Sequence, residues 1–147
     1  MIHQFIQDNI LYSSDKSLIQ ENIIHDFLSC ESYWAQDIPM SVVLAAIKGS
    51  ECFGAYVNGK QIAFARVISD KATFGYLADV FVIKEFRGKG ISKNLMKLIL
   101  SYPDFIGLRR FMLATKDAHS LYAQFGFACL STPQRFMELK PFEKYES

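Results

Sequence analysis

The run YLADVFVIKEFRGKGIS, from Tyr76 to Ser92, decides the fold. Its first half is apolar, β-branched and aromatic, which is the composition of a buried strand. A short loop then leads to Arg87-Gly88-Lys89-Gly90, and a helix follows from about Gly90 to Tyr102, ending before Pro103. On that helix Ile91, Leu95, Leu98 and Ile99 share one face, and Lys89, Lys93 and Lys97 line another. Glycines between a strand and a helix let the backbone turn tightly and aim successive N–H groups outward. The helix dipole adds partial positive charge at the same point. Lys84, Arg87, Lys89, Lys93 and Lys97 stand there against Glu85 alone, in a chain of net charge +1. The turn is therefore suited to a phosphate-bearing ligand. It is not a P-loop, because no Gly-Lys-Ser/Thr follows a four-residue spacer. It is not a dinucleotide fingerprint, which needs three spaced glycines and a later acidic residue. The residues alone leave open a plain strand-to-helix turn with a solvated lysine face.

Working outward, Cys52 to Val57 and Gln61 to Ile68 read as strands joined by Asn58-Gly59, a type I′ hairpin signal. After Asp70-Lys71 a third strand runs from Thr73 to Ile83. Upstream, the first dozen residues are weakly strand-like. Apolar spacing predicts helices over Leu18 to Leu28 and over Pro39 to Lys48, with Gly49 after the second. Downstream, Phe111 to Thr115 reads as a strand and Asp117 as the cap of a short helix through Phe125, closed by Gly126. Phe127 to Leu130 and Arg135 to Leu139 read as short terminal strands. The sum is an α+β fold with a mixed, mostly antiparallel central sheet, flanked by helices and containing a β-α-β crossover.

No linker or repeat divides the chain, so residues 1–147 are expected to form one domain. Half of the residues are hydrophobic, enough to build a core without disulfides. The near-neutral charge gives no reason to expect nucleic acid or a membrane surface as partner. No apolar run is long enough to span a bilayer, and no secretory leader is visible. Cys30, Cys52 and Cys129 are odd in number and scattered, which points to reduced, buried thiols in a cytoplasmic protein rather than a disulfide or metal site.

Two ordered motifs carry a resemblance. Val80 to Ser92 resembles the acetyl-CoA signature of the GCN5-related N-acetyltransferase (GNAT) superfamily, in which a strand enters a Gln/Arg-x-x-Gly-x-Gly/Ala loop and a helix. The first position departs, being Glu85, and Ser92 stands where many members have a third Gly. Downstream, AHSLYAQFGF, Ala118 to Phe127, resembles the later motif Ala-x-x-x-Tyr-x-x-x-Gly-Phe. Thr115 replaces the Asn often found three residues before that Ala. The resemblance covers roughly Cys52 to Leu139 and implies a small single-domain member of the family.

The resemblance implies a GNAT fold whose fourth and fifth strands splay apart to admit acetyl-CoA as cosubstrate. The amides of Arg87, Gly88, Lys89, Gly90, Ile91 and Ser92 would hold the pyrophosphate. Backbone at Phe81 and Val82 would pair with the pantetheine arm. Tyr122 would touch the cosubstrate and act as general acid toward the departing thiolate; the alternative is a residue that only packs against the cosubstrate. The acetyl group would pass directly to a small-molecule or peptide amine in a ternary complex, with no metal and no cysteine nucleophile. A CoA-binding sensor or scaffold without catalysis is the other reading, and family habit points to a homodimer. Asp79, a charge inside an apolar strand, is either the base that deprotonates the acceptor or a structural carboxylate paired with Arg66 or another cation. His119 is a surface residue or a proton relay. Tyr33, Trp34, Phe53 and Tyr56 are aromatic candidates for the acceptor wall, Trp34 first among them.

Overall fold

The computed structural model describes residues 1–146. Six strands form one sheet in sequence order: β1 (Gln4–Gln7), β2 (Ile10–Ser13), β3 (Glu51–Val57), β4 (Lys60–Ser69), β5 (Phe74–Val82) and β6 (Arg110–Leu113). The pairs from β1 to β5 are antiparallel, and β5–β6 is parallel. Helices α1 (Glu21–Cys30) and α2 (Met40–Lys48) lie between β2 and β3 in sequence. Helix α3 (Ile91–Leu100) makes the crossover from β5 to β6, and the short α4 (His119–Ala123) follows. The α+β, mostly antiparallel architecture expected from the sequence is thus present.

Two apolar clusters sit on opposite faces of the sheet. Alternation along the strands sends Phe53, Ala63, Ala65, Val67, Leu77 and Val82 toward α3, where they meet Leu95, Leu98 and Ile99. Cys52, Phe64 and Phe81 point the other way, onto Ile24, Phe27, Leu28 and Val43 of α1 and α2. Phe53 and Tyr56 are buried on β3, with β4 between them and β5. Phe53 packs edge-on to Tyr102 beneath α3. An inward-facing strand aromatic carries no mark of which layer it enters, which is why the sequence left both as wall candidates.

The N-terminal strand reading resolves into a β1–β2 hairpin. Asp8 and Asn9 take φ values of 54° and 62° at its tip, the left-handed pair that a two-residue turn requires. Asn58 and Gly59 do the same between β3 and β4, at φ 50° and 79°.

Strand β5 carries the irregularity that shapes the site. Ala78 lies opposite Arg66 but Phe81 lies opposite Phe64, so three residue steps on β5 face two on β4. The extra residue is a bulge, and Asp79 sits in it at φ 55°. The bulge is what lets Leu77 and Val82, five positions apart, face the same cluster. Pairing with β6 covers Phe74 to Leu77 and stops as the bulge begins. Beyond Leu77 the outer edge of β5 is free, and the two strands part.

The chain end departs from expectation. Neither Phe127–Leu130 nor Arg135–Leu139 forms a strand. Pro133 opens a 3-10 turn through Arg135, and Met137 and Leu139 are 98% and 92% exposed. Alternation in a short segment predicts a strand only where a neighbouring edge accepts it.

Candidate active site

Two clefts open where β5 leaves β6. One, of about 570 Å³, runs from the glycine turn along β5 to Tyr122. The other, of about 530 Å³, lies between β5 and the segment after β6. Tyr33, Trp34, Val80, Asp117, Ala118 and Tyr122 line both, so the clefts meet at these residues.

The first cleft has the features of an anion cradle. Gly88 and Gly90 take φ values of 80° and 75°, and a Cβ at either would stand in open space with no atom within 4 Å. Gly90 caps α3 without a side-chain bond, so the first-turn amides of that helix have no intrahelical partner. Ile91 is sealed in the core and anchors the turn, while Ser92 and Lys93 face the cleft. Lys89 is absent from the cleft lining, and its ammonium lies 5.2 Å from the Phe86 ring centroid.

Arg87 bends back, and its Nε donates to the Val82 carbonyl at 3.0 Å. The same guanidinium lies 6.0 Å from the Phe27 ring. The ladder explains why that carbonyl is available. Ile83 N–H donates to Ile62 O at 2.9 Å, which makes Ile62/Ile83 a hydrogen-bonded pair. Antiparallel pairs alternate, so Ala63/Val82 is not bonded and Phe64/Phe81 is. The backbone of Phe81 is therefore committed to β4, contrary to the role the resemblance implied for it. That of Val82 faces the free edge. Phe81 serves through its ring instead, stacked on Phe27 with centroids 4.1 Å apart.

Tyr122 is buried on α4 at the junction of the clefts. Burial pushes its phenol up to about 12, with the nearby Tyr33 adding to the shift. It is thus a fully protonated donor at neutral pH. The helix is not capped by Asp117. Ala118 is the N-cap, and Thr115 Oγ1 accepts the Ala118 N–H at 3.1 Å. Thr115, two residues before Asp117, closes the turn ahead of α4, and the Asp117 side chain is not engaged by the helix.

Asp79 is held from two sides. Arg66 Nε donates to its Oδ2 at 2.6 Å, and Trp34 Nε1 donates to its Oδ1 at 2.8 Å. Arg66 also reaches Ser50 Oγ at 3.0 Å. Of the sequence alternatives, the Arg66 partner is present. The Trp34 bond spans 45 residues and had no local signal. Tyr33 packs edge-on against Trp34 at 5.0 Å, and its hydroxyl accepts the Lys116 N–H at 3.1 Å. The α1–α2 loop is thereby tied to the segment after β6, closing the cleft mouth from both sides.

His119 is exposed and lines a third groove, beside β6, which shares Tyr122 with the two clefts. Cys30 and Cys129 are exposed, against expectation, and neither lines the two clefts. Cys52 is buried, and that burial pushes its thiol up to about 11. Among the described residues no three His, Cys, Asp or Glu side chains cluster as metal ligands. Among the same residues no helix is long and apolar enough to cross a membrane.

A split sheet edge, a glycine turn opening a helix and a buried tyrosine thus come together at one place. Residues 21–127 match the acetyltransferase (GNAT) family, and the chain belongs to that family. A Gibberella zeae protein named a putative acetyltransferase is 31% identical, over 78% of this chain and 76% of the other. A crystal structure from Xanthomonas campestris pv. campestris, described as a putative acetyltransferase of the GNAT family, is 52% identical. It superposes with a TM-score of 0.89, over 92% of this chain and 95% of that one. A GNAT family acetyltransferase from Elizabethkingia anophelis with acetyl-CoA bound shares the fold, with a TM-score of 0.60 at 16% identity, over 83% of this chain and 78% of that one.

Proposed function

We propose that the chain is an N-acetyltransferase that takes acetyl-CoA in the first cleft and an amine in the second. The observation that carries this reading is the meeting of the two clefts at Tyr122. Acetyl-CoA supplies an activated thioester. The Arg87 N–H is taken by the Lys84 carbonyl, so the open amides from Gly88 to Ser92 would receive the acetyl-CoA pyrophosphate, and the outward-facing backbone of Val82 would receive the pantetheine arm. A donor amide at the same free edge would stabilise the oxyanion. The amine forms its C–N bond as the C–S bond breaks. The Tyr122 phenol gives its proton to the departing sulfur, and the proton shed by the amine leaves to water in the open cleft.

Asp79 has a positioning role in this reading. Both of its oxygens already accept from donors, and it fixes the indole of Trp34 at the junction. It would act on the acceptor through Trp34 rather than by taking a proton. The glycine turn alone would serve equally well in a CoA-binding sensor. The buried, protonated Tyr122 favours catalysis, since a sensor needs no acid there. Screening primary amines for release of free thiol from acetyl-CoA tests the reading. Turnover with at least one amine class is expected; acetyl-CoA binding without release from any would favour the sensor.

A further inference from the structure

The charges of the acceptor cleft narrow its substrate, on the reading just proposed. Arg66, Asp79, Lys116 and Asp117 are the ionic side chains lining it. Arg66 and Asp79 neutralise each other. Lys116 is turned over the Tyr33 ring, its ammonium 5.3 Å from the centroid. Asp117 has no ion pair or side-chain hydrogen bond among the described residues, and α4 has no side-chain cap. It is also the one carboxylate that lines both clefts, alongside the aromatic rings of Tyr33, Trp34 and Tyr122. An amine reaches an enzyme as an ammonium ion, which is drawn both to a carboxylate and to aromatic faces.

We propose that Asp117 is the acceptor-ammonium anchor, and that the acceptor is a primary amine with one cationic group and an apolar or aromatic body. The remaining walls suit such a body: Tyr76, Leu77 and Leu113 are apolar or aromatic. A polycation finds a single free carboxylate in the cleft, and Lys116 beside it repels a second positive charge. Polyamines and aminoglycosides are therefore poor fits.

The test compares wild type with Asp117→Asn and Asp117→Glu. The first probe is phenethyltrimethylammonium, which carries the charge and the ring but cannot accept an acetyl group. Calorimetry should show it binding wild type and binding Asp117→Asn about tenfold more weakly, with the gap closing as salt rises. Asp117→Glu should recover most of the affinity, which a merely structural role would not produce. With 2-phenylethylamine as acceptor, KM should rise by the same factor in Asp117→Asn while kcat changes little. The melting-temperature response to acetyl-CoA should stay at the wild-type value. Equal affinity of wild type and Asp117→Asn for the quaternary probe, or no binding to either, overturns the anchor. A higher kcat/KM for spermidine than for 2-phenylethylamine overturns the monoamine assignment. Absence of thiol release with every amine would sink the transfer reading alone, and the calorimetric comparison would still decide Asp117.

Discussion

Asp79→Asn separates a positioning carboxylate from a catalytic base. The substitution keeps the side-chain shape, and Asn tolerates the φ of 55° at that position. It removes the charge that Arg66 contacts at 2.6 Å and places an amide N–H₂ or a weaker acceptor there. The two side chains are 17% and 11% exposed, so the pair is neither fully buried nor at the surface. Breaking a buried pair costs about 3–5 kcal/mol and an exposed one about 0–1, so roughly 2–3 kcal/mol is expected here. For a chain of this length that is a fall in Tm of about 5–10 °C. Trp34 also loses its charged acceptor, so turnover of the folded variant should drop, by about the same factor across the range from about pH 6 to pH 9. Thermal melts and pH-rate profiles on one preparation give both numbers. A wild-type Tm together with a rate deficit that deepens toward low pH, where an amine most needs a base, would refute the positioning role.

Tyr122→Phe should leave Tm and acetyl-CoA affinity near wild type. It should lower kcat and kcat/KM together by about 10²-fold, as loss of one general acid does; full turnover with chemistry rate-limiting would make Tyr122 a packing residue. The wild-type rate should show no alkaline fall from this acid up to about pH 11, because its phenol sits near 12. Stability should fall at high pH. Tyr122 and Cys52, both raised by burial, bind their protons more tightly folded than unfolded. Their contribution is complete below the ordinary pKa values near 9 and 10, and is lost as pH climbs through about 11 and 12. A flat stability curve across that window in alkaline denaturation would contradict the burial of these groups. Gly54→Ala should destabilise by about 1–3 kcal/mol, because the added Cβ meets the end of the buried Tyr56 ring; an unchanged denaturation midpoint would mean the ring moves freely.

Much of the fold was legible because its signals are local. Asn58-Gly59 marks its own turn, and Arg87-Gly88-Lys89-Gly90 followed by a helical face marks the strand-to-helix junction. The β1–β2 hairpin was half-seen, although Asp8-Asn9 is a pair that accepts positive φ and could have supplied the turn. The bulge at Asp79 was missed, yet the period carries a trace of it. Leu77 and Val82 are five apart, an odd interval, and can share a face only if one residue is extra. The Arg66 partner could be named because a charge in an apolar strand needs one. The Trp34 bond could not, since it joins a loop to a strand across the sheet. Asp117 was read as a cap because residue type fits that role, and Thr115 two positions earlier fits it too. Geometry shows that neither side chain caps the helix and that Thr115 bonds the Ala118 amide just ahead of it. Tyr33 and Trp34 do stand at the cleft, whereas Phe53 packs beneath α3 and Tyr56 lies on the opposite face, over Gly54; aromatic identity alone does not distinguish them.

The measurement that bears most directly on acetyl-CoA use is its effect on the melting temperature of wild type and of Gly88→Val. Residue 88 has φ 80° and open space around it, so valine strains the turn by about 1–2 kcal/mol and obstructs the cradle without touching the core. At a ligand concentration of 100 Kd, mass action stabilises the native state by about 2.7 kcal/mol, a rise of roughly 5–10 °C for a chain of this size. That rise is expected in wild type, and its loss in a Gly88→Val protein that still melts cooperatively. No rise in wild type at about millimolar acetyl-CoA, or an equal rise in both proteins, would contradict acetyl-CoA binding at this turn.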